Sequence, residues 1–170
     1  IRDRSKASSL YRCLSKTIFS ASNLIKILND EICETTTRGM FVTMIVGVYD
    51  KNKNELLLAN AGHEPPLIFS KDGNFKTIDE AGPPLGIAPN FKFTEQIISF
   101  KESSMYIFTD GITEMKNNNG EMLGQEGFQD YIKKYQTTPN NKRLQKMIED
   151  LISSGRIQKD DLTIVTVDGN

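Results

Sequence analysis

The hydrophobic period of this chain changes three times, and each change narrows the folds open to it. Leu10 and Leu14 with Thr17 and Ile18, then Leu24, Ile25, Leu28 and Ile32, recur at helical spacing. Residues three and four apart share a helical face, so two amphipathic helices are expected. The second should start near Ser22, an N-cap residue type, and run to about Cys33. Residues 35–39 are polar and β-branched and read as a connection. The pattern then turns extended. FVTMIVGVYD (residues 41–50) is almost continuously apolar, which predicts a strand covered on both faces. ELLLANAG (55–62) follows a polar turn and makes a hairpin with it. Strands at 67–70 and 75–78 flank Lys71-Asp72-Gly73-Asn74, whose Asp-Gly pair marks a tight turn. After the rigid loop Gly82-Pro83-Pro84-Leu85-Gly86, strands are expected at 91–100 and 104–109, then a turn at 117–120. Helical spacing returns in Phe128, Tyr131, Ile132 and Tyr135, and again in Leu144, Met147, Ile148, Leu151 and Ile152. Residues 162–167 predict a buried closing strand. The order is helices, five or six antiparallel strands, helices, strand. That is an α+β arrangement in which helices cover sheet faces, on a one-domain length, 1–170.

Bulk properties exclude several function classes. A net charge of −1 gives no electrostatic footprint for nucleic acid. Lys142-Arg143 reads as a solvated helix face. No apolar run is long enough to span a bilayer, and no signal peptide is visible. Cys13 and Cys33 form no close-spaced metal motif, and two free thiols suit a cytoplasmic chain. A thiolate phosphate loop needs Cys, five residues, then Arg, but only four residues separate Cys33 from Arg38. No Gly-x-Ser-x-Gly elbow, Walker loop or dinucleotide fingerprint occurs.

What remains is a pair of acidic islands at strand ends. YIFTDGITE holds Asp110 and Glu114, and KDDLTIVTV holds Asp160 and Asp161. Alone, Asp110-Gly111 is an ordinary turn in which glycine frees the backbone to bend. Alone, Asp160-Asp161 is a solvated loop. Together, two acidic strand ends joined by a helical layer can place oxygens around a hard dication such as Mg²⁺ or Mn²⁺. His63, the single histidine, sits in AGHEPP. It reads first as a loop organiser, with a ligand or acid–base role as the other option.

FVTMIVGVYD, ANAGHEPPLI, GPPLGI, FTDGITE with GEMLG, and DDLTIVTV, in that order, resemble the SpoIIE/RsbU-type bacterial branch of the metal-dependent (PPM-type) serine/threonine phosphatases. The resemblance covers most of the chain from about Leu24 to Val167. It implies an antiparallel β-sandwich flanked by helices, with a two-metal centre at one end. By the same resemblance Asp110 and Asp160 are metal ligands and the catalytic residues. Gly111 belongs to the metal block, Asp161 stands behind Asp160, and Gly62-His63 positions a loop. Glu64 stands where the family usually has Asn. The family's N-terminal block, which ends in a bridging Asp, has no counterpart before Leu10. Asp3, in IRDRS, lacks the strand and glycine context. The expectation is a partial domain missing the N-terminal strands and one bridging ligand, with weak activity or none.

The resemblance further implies Mn²⁺ or Mg²⁺ as cofactor and a phosphorylated anti-sigma-factor antagonist as substrate, within bacterial partner-switching signalling. It implies an N-terminal sensor or regulatory domain, and a cytoplasmic location, free or as the cytoplasmic part of a membrane-anchored sensor. A strand edge left unpaired predicts homodimerisation. Two other readings stand beside it. One is a non-catalytic, phosphatase-like binding module. The other is a metal-dependent nuclease, which the near-neutral charge disfavours.

Overall fold

The computed structural model describes residues 2–35 and 39–169, with side chains from Ser5 onward. Arg38 and most of the 35–39 connection lie outside the described residues. The chain forms two compact units, Ile1–Pro65 with Ile78–Glu102 and Gly169–Asn170, and Pro66–Thr77 with Ser103–Asp168.

The first unit begins with α1 (Arg2–Leu14) and α2 (Ala21–Thr35). Thr17 and Ile18, assigned above to the first helix, lie beyond its end. Leu24, Ile25, Leu28 and Ile32 are buried, as their spacing predicts, and pack with Val46, Ala59 and Ala61 of the sheet. Each such side chain contributes about 1.5–3 kcal/mol on burial. The start of α2 corrects the sequence reading. Ser20 is its cap, its Oγ accepting from the Asn23 amide at 3.3 Å. The Ser22 amide donates instead to Glu95 Oε2 at 3.0 Å. The same Glu95 oxygen also accepts from Ser20 Oγ at 3.2 Å, so a residue distant in sequence braces the cap.

The sheet of this unit runs β1 (Met44–Asp50), β2 (Glu55–Ala61), β5 (Gln96–Ser99), all antiparallel. The β1–β2 hairpin closes at Asp50 opposite Glu55, as expected. The expectation that β1 is covered on both faces fails. It is an edge strand in which only Val46 is fully buried, and Tyr49 and the preceding Phe41 are exposed. The 91–100 strand shrinks to four residues. Phe91 and Phe93 are held by each other, edge to face at 5.0 Å, and Phe93 lies in the core. Side-chain packing, not ladder pairing, fixes them.

The second unit is a four-stranded antiparallel sheet in the order β4 (Phe75–Thr77), β3 (Leu67–Ser70), β6 (Ser103–Phe108), β7 (Ile164–Asp168). Leu67, Phe69, Tyr106 and Phe108 pack with Phe128 and Ile132 of α4 (Gly124–Lys134) and with Met147 and Leu151 of α5 (Asn140–Ser153). The Phe108 and Phe128 rings lie 4.8 Å apart. The closing strand is at the sheet edge, so Val165 and Val167 are exposed where a buried strand was expected. Arg143 departs furthest from its sequence reading as solvated: it is only 5% exposed. Its Nη2 pairs with the Asp168 carboxylate, which also accepts from Ser104 Oγ, and its guanidinium lies 5.6 Å over the Tyr106 ring. A counter-charge on the last strand makes that burial tolerable. No helix among the described residues is long and apolar enough to cross a membrane.

Candidate functional site

Both acidic islands lie in the second unit, and the β6–β7 ladder aligns them. The ladder runs from Ser104 opposite Asp168 to Phe108 opposite Ile164. Just past it the Thr109 amide donates to the Thr163 carbonyl at 3.1 Å. The chain leaving β6 then turns into the single helical turn α3 (Asp110–Thr113), with Asp110 in its first turn. The chain entering β7 arrives through Asp160 and Asp161. These two paths are in contact. A Cβ built on Gly111 falls 2.5 Å from the Asp161 carbonyl oxygen and 3.4 Å from the Asp160 carbonyl carbon.

Gly111 is therefore glycine for a different reason from the one its sequence suggests. Its φ is not among the positive ones, so no turn demands it. The neighbouring backbone leaves no room for a side chain. Around it, Thr109 Oγ1 donates to the Asp161 carbonyl and accepts from the Thr163 amide, both at 3.1 Å. Asp160 Oδ1 accepts from the Asp161 amide at 2.7 Å, and the Asp160 carbonyl accepts from Gln158 Nε2 at 3.0 Å. Asp110, Asp160 and Asp161 are exposed. None of them forms an ion pair among the described residues.

These are hard oxygen donors, exposed and without a counter-charge, which is the donor chemistry a Mg²⁺ or Mn²⁺ ion takes. Yet among the described residues no three His, Cys, Asp or Glu side chains gather closely enough to hold a metal. The residues fit part of a dication site. The side chain of Asp3 lies outside the described residues.

In the first unit, the loop around His63 is organised by Asn60. This buried side chain accepts from the His63 amide and donates to the His63 carbonyl, each at 2.9 Å. Among the described residues the ring reaches the Glu64 carbonyl, 3.1 Å from Nδ1. Gly62 has φ +67°, and a Cβ there meets Pro84 at 2.5 Å. An Asn two residues before a glycine is the sequence signal for this loop. Asn29 was missed entirely. It is fully buried on α2, donating to the Ala88 carbonyl at 2.8 Å and accepting from the Gly86 amide at 3.1 Å. Cys33 Sγ donates to the same Asn29 oxygen at 3.7 Å. Burial pushes the Cys33 thiol up.

The arrangement of sheets and helices is that of PP2C-type phosphatase domains. It superimposes on the RsbU and RsbW domains of Rv1364c from Mycobacterium tuberculosis with a TM-score of 0.80 at 19% identity, over 99% of this chain and 47% of that one. On the catalytic domain of the serine threonine protein phosphatase PstP, in complex with 2 manganese ions, the TM-score is 0.68 at 14% identity, over 97% and 81%. The family model described as Stage II sporulation protein E (SpoIIE) matches residues 5–169, and the chain belongs to that family. It is 30% identical over 161 residues to Protein IcfG of Synechocystis sp., covering 89% of this chain and 24% of that protein. To the phosphoserine phosphatase RsbU of Bacillus subtilis it is 27% identical over 157 residues, covering 91% and 47%. The chain thus spans about a quarter to a half of the curated relatives it matches.

Proposed function

We propose that this chain is a domain of a metal-dependent phosphoserine/phosphothreonine protein phosphatase, using Mn²⁺ or Mg²⁺. Its substrate in this reading is a phosphorylated anti-sigma-factor antagonist in a bacterial, cytoplasmic partner-switching circuit. A regulatory or sensor domain elsewhere in the whole protein governs it. The observation that carries the reading is the contact of Gly111 with the Asp160-Asp161 backbone, which puts the two acidic islands side by side. Membership of the SpoIIE family, the relative named as a phosphoserine phosphatase and the two manganese ions in PstP support the same chemistry.

In this reading Asp110 and Asp160 supply carboxylate oxygens to the metal centre. Asp161 supports Asp160 through its amide, and Gly111 gives the two paths room to meet. A bound dication lowers the pKa of its water and neutralises charge on the phosphoryl oxygens. No protein nucleophile is required. With fewer than three ligands gathered among the described residues, the 170-residue chain alone should turn over slowly or not at all.

The test is Mn²⁺-dependent hydrolysis of a phosphoserine protein by the whole protein and by its Asp110→Asn variant. Loss of turnover in the variant is expected, and wild-type turnover in it would refute the ligand assignment. Whole protein that folds, yet neither binds Mn²⁺ nor hydrolyses, would favour the binding-module reading instead. We also propose that a second copy pairs along the open edge of β1, where Phe41 and Tyr49 are exposed. A monomer in sedimentation at high concentration would refute that pairing.

A further inference from the structure

Thr109 occupies the N-cap position of α3, with φ −91° and ψ 156°, yet its side chain makes no capping hydrogen bond. A threonine at that position ordinarily turns its oxygen to the amides of its own helix. Here the hydroxyl is used across the sheet. It donates its one proton to the Asp161 carbonyl and accepts from the Thr163 amide, which is the full use of a hydroxyl in two directions. The Thr109 backbone amide adds a third bond, to the Thr163 carbonyl. Regular β6–β7 pairing has already ended at Phe108 and Ile164. Without the hydroxyl, the Asp161 carbonyl and the Thr163 amide each lose their hydrogen bond to Thr109. The segment from Asp160 to Thr163 would then be tied by the Thr109 amide bond and by Leu162 packed against the core, with no bond left on the Asp161 carbonyl from Thr109.

We infer that Thr109 is a positioning residue: its hydroxyl staples the Asp160–Asp161 segment to the turn that carries Asp110, and so sets the spacing of the two acidic islands. The inference rests on the phosphatase reading above for its consequence, though not for the staple itself. Both bonds of the hydroxyl go to backbone. It acts through the backbone of Asp161, just as residues behind a metal ligand hold that ligand in place.

The experiment compares whole protein carrying wild-type Thr109, Thr109→Val and Thr109→Ser. Valine keeps the volume and β-branching and deletes both hydroxyl bonds, while serine retains them. Three quantities are read: amide exchange at Thr163, Mn²⁺ affinity by calorimetry without substrate, and kcat and KM on a phosphoserine protein. In Thr109→Val, the Thr163 amide should exchange about tenfold faster, and Mn²⁺ affinity and kcat should each fall by about 10–100-fold. KM should change less than about twofold, because uniform substrate binding is untouched. Thr109→Ser should restore all three to near wild type. If Thr109→Val does not fold, Thr109→Ala deletes the same hydroxyl and is read in the same way.

Unchanged Thr163 exchange in the valine variant overturns the staple. Faster exchange with unchanged Mn²⁺ affinity and kcat overturns the positioning role and leaves the phosphatase reading standing. Wild-type protein that binds no Mn²⁺ removes the phosphatase reading and the positioning role with it, while Thr163 exchange still decides the staple.

Discussion

Replacing Gly111 with alanine separates two explanations of why glycine stands there. By helix propensity alone Gly→Ala stabilises by about 1 kcal/mol, and Gly111 sits inside α3 with an unremarkable φ. By contact geometry the new methyl meets the Asp161 carbonyl oxygen at 2.5 Å, closer than real Cβ atoms come, and its neighbour is backbone that cannot swing aside. Overpacking of this kind costs about 1–3 kcal/mol, so the net change should be a loss of up to about 2 kcal/mol. In a chain of this size that lowers Tm by a few degrees, at about 2–4 °C per kcal/mol. Relief requires the Asp160–Asp161 segment to retreat by about 1 Å, and a misplacement of that size costs about 100-fold in rate. The signature is therefore a small fall in Tm beside a large fall in Mn²⁺-dependent kcat, measured in the whole protein by calorimetry and phosphate release. Gly127→Ala is the control. Its methyl also meets an atom at 2.6 Å, but that atom is Leu123 Cδ1, a side-chain atom away from the Asp160–Asp161 backbone, so the rate should hold. Gly111→Ala with wild-type rate and raised Tm would refute the reasoning.

Tyr106→Phe should leave stability unchanged or raise it by up to about 1 kcal/mol, because the fully buried phenol oxygen has no hydrogen-bond partner among the described residues. A loss above about 1 kcal/mol in urea denaturation would show that a bound water satisfies it. Asp30 is held below the usual carboxylate range, foremost by its hydrogen bond to Lys26. A depressed folded pKa means the stabilisation is complete above about pH 4 and lost as pH falls through the lower folded value. Asp30→Asn should therefore lower Tm slightly at pH 7, and the gap should close toward about pH 3. An equal gap at both pH values would contradict this.

What could be read from sequence follows the range of the interactions concerned. The α2 stripe, the β1–β2 hairpin and the Asp72-Gly73 turn are set by neighbours within a few residues, and they appear where predicted. The cap of α2 depends on Glu95, and the burial of Arg143 depends on Asp168. Neither partner is visible in a local window, so Ser22 and a solvated Arg143 were the natural misreadings. Edge positions of β1 and β7 follow from strand order, which apolar content does not encode. At the candidate site the residue types stand out in the sequence and their packing does not. Asp110, Gly111, Asp160 and Asp161 stood out as types, whereas the steric need for Gly111 and the crossing bonds of Thr109 emerge only once two segments about 50 residues apart meet.

The strand order of the second unit has a mechanical consequence. β6 has a neighbour on either side, β3 and β7, whereas β7 has one. Asp110 therefore follows a strand braced on both sides as far as Tyr106, and Asp160 precedes one braced on a single side throughout. In the proposed reading, an ion or phosphoryl group between them would meet a stiffer wall on the Asp110 side and a more compliant one on the Asp160 side. Adjustment to its size falls on the compliant side, and amide exchange across residues 160–163 is the place to watch it.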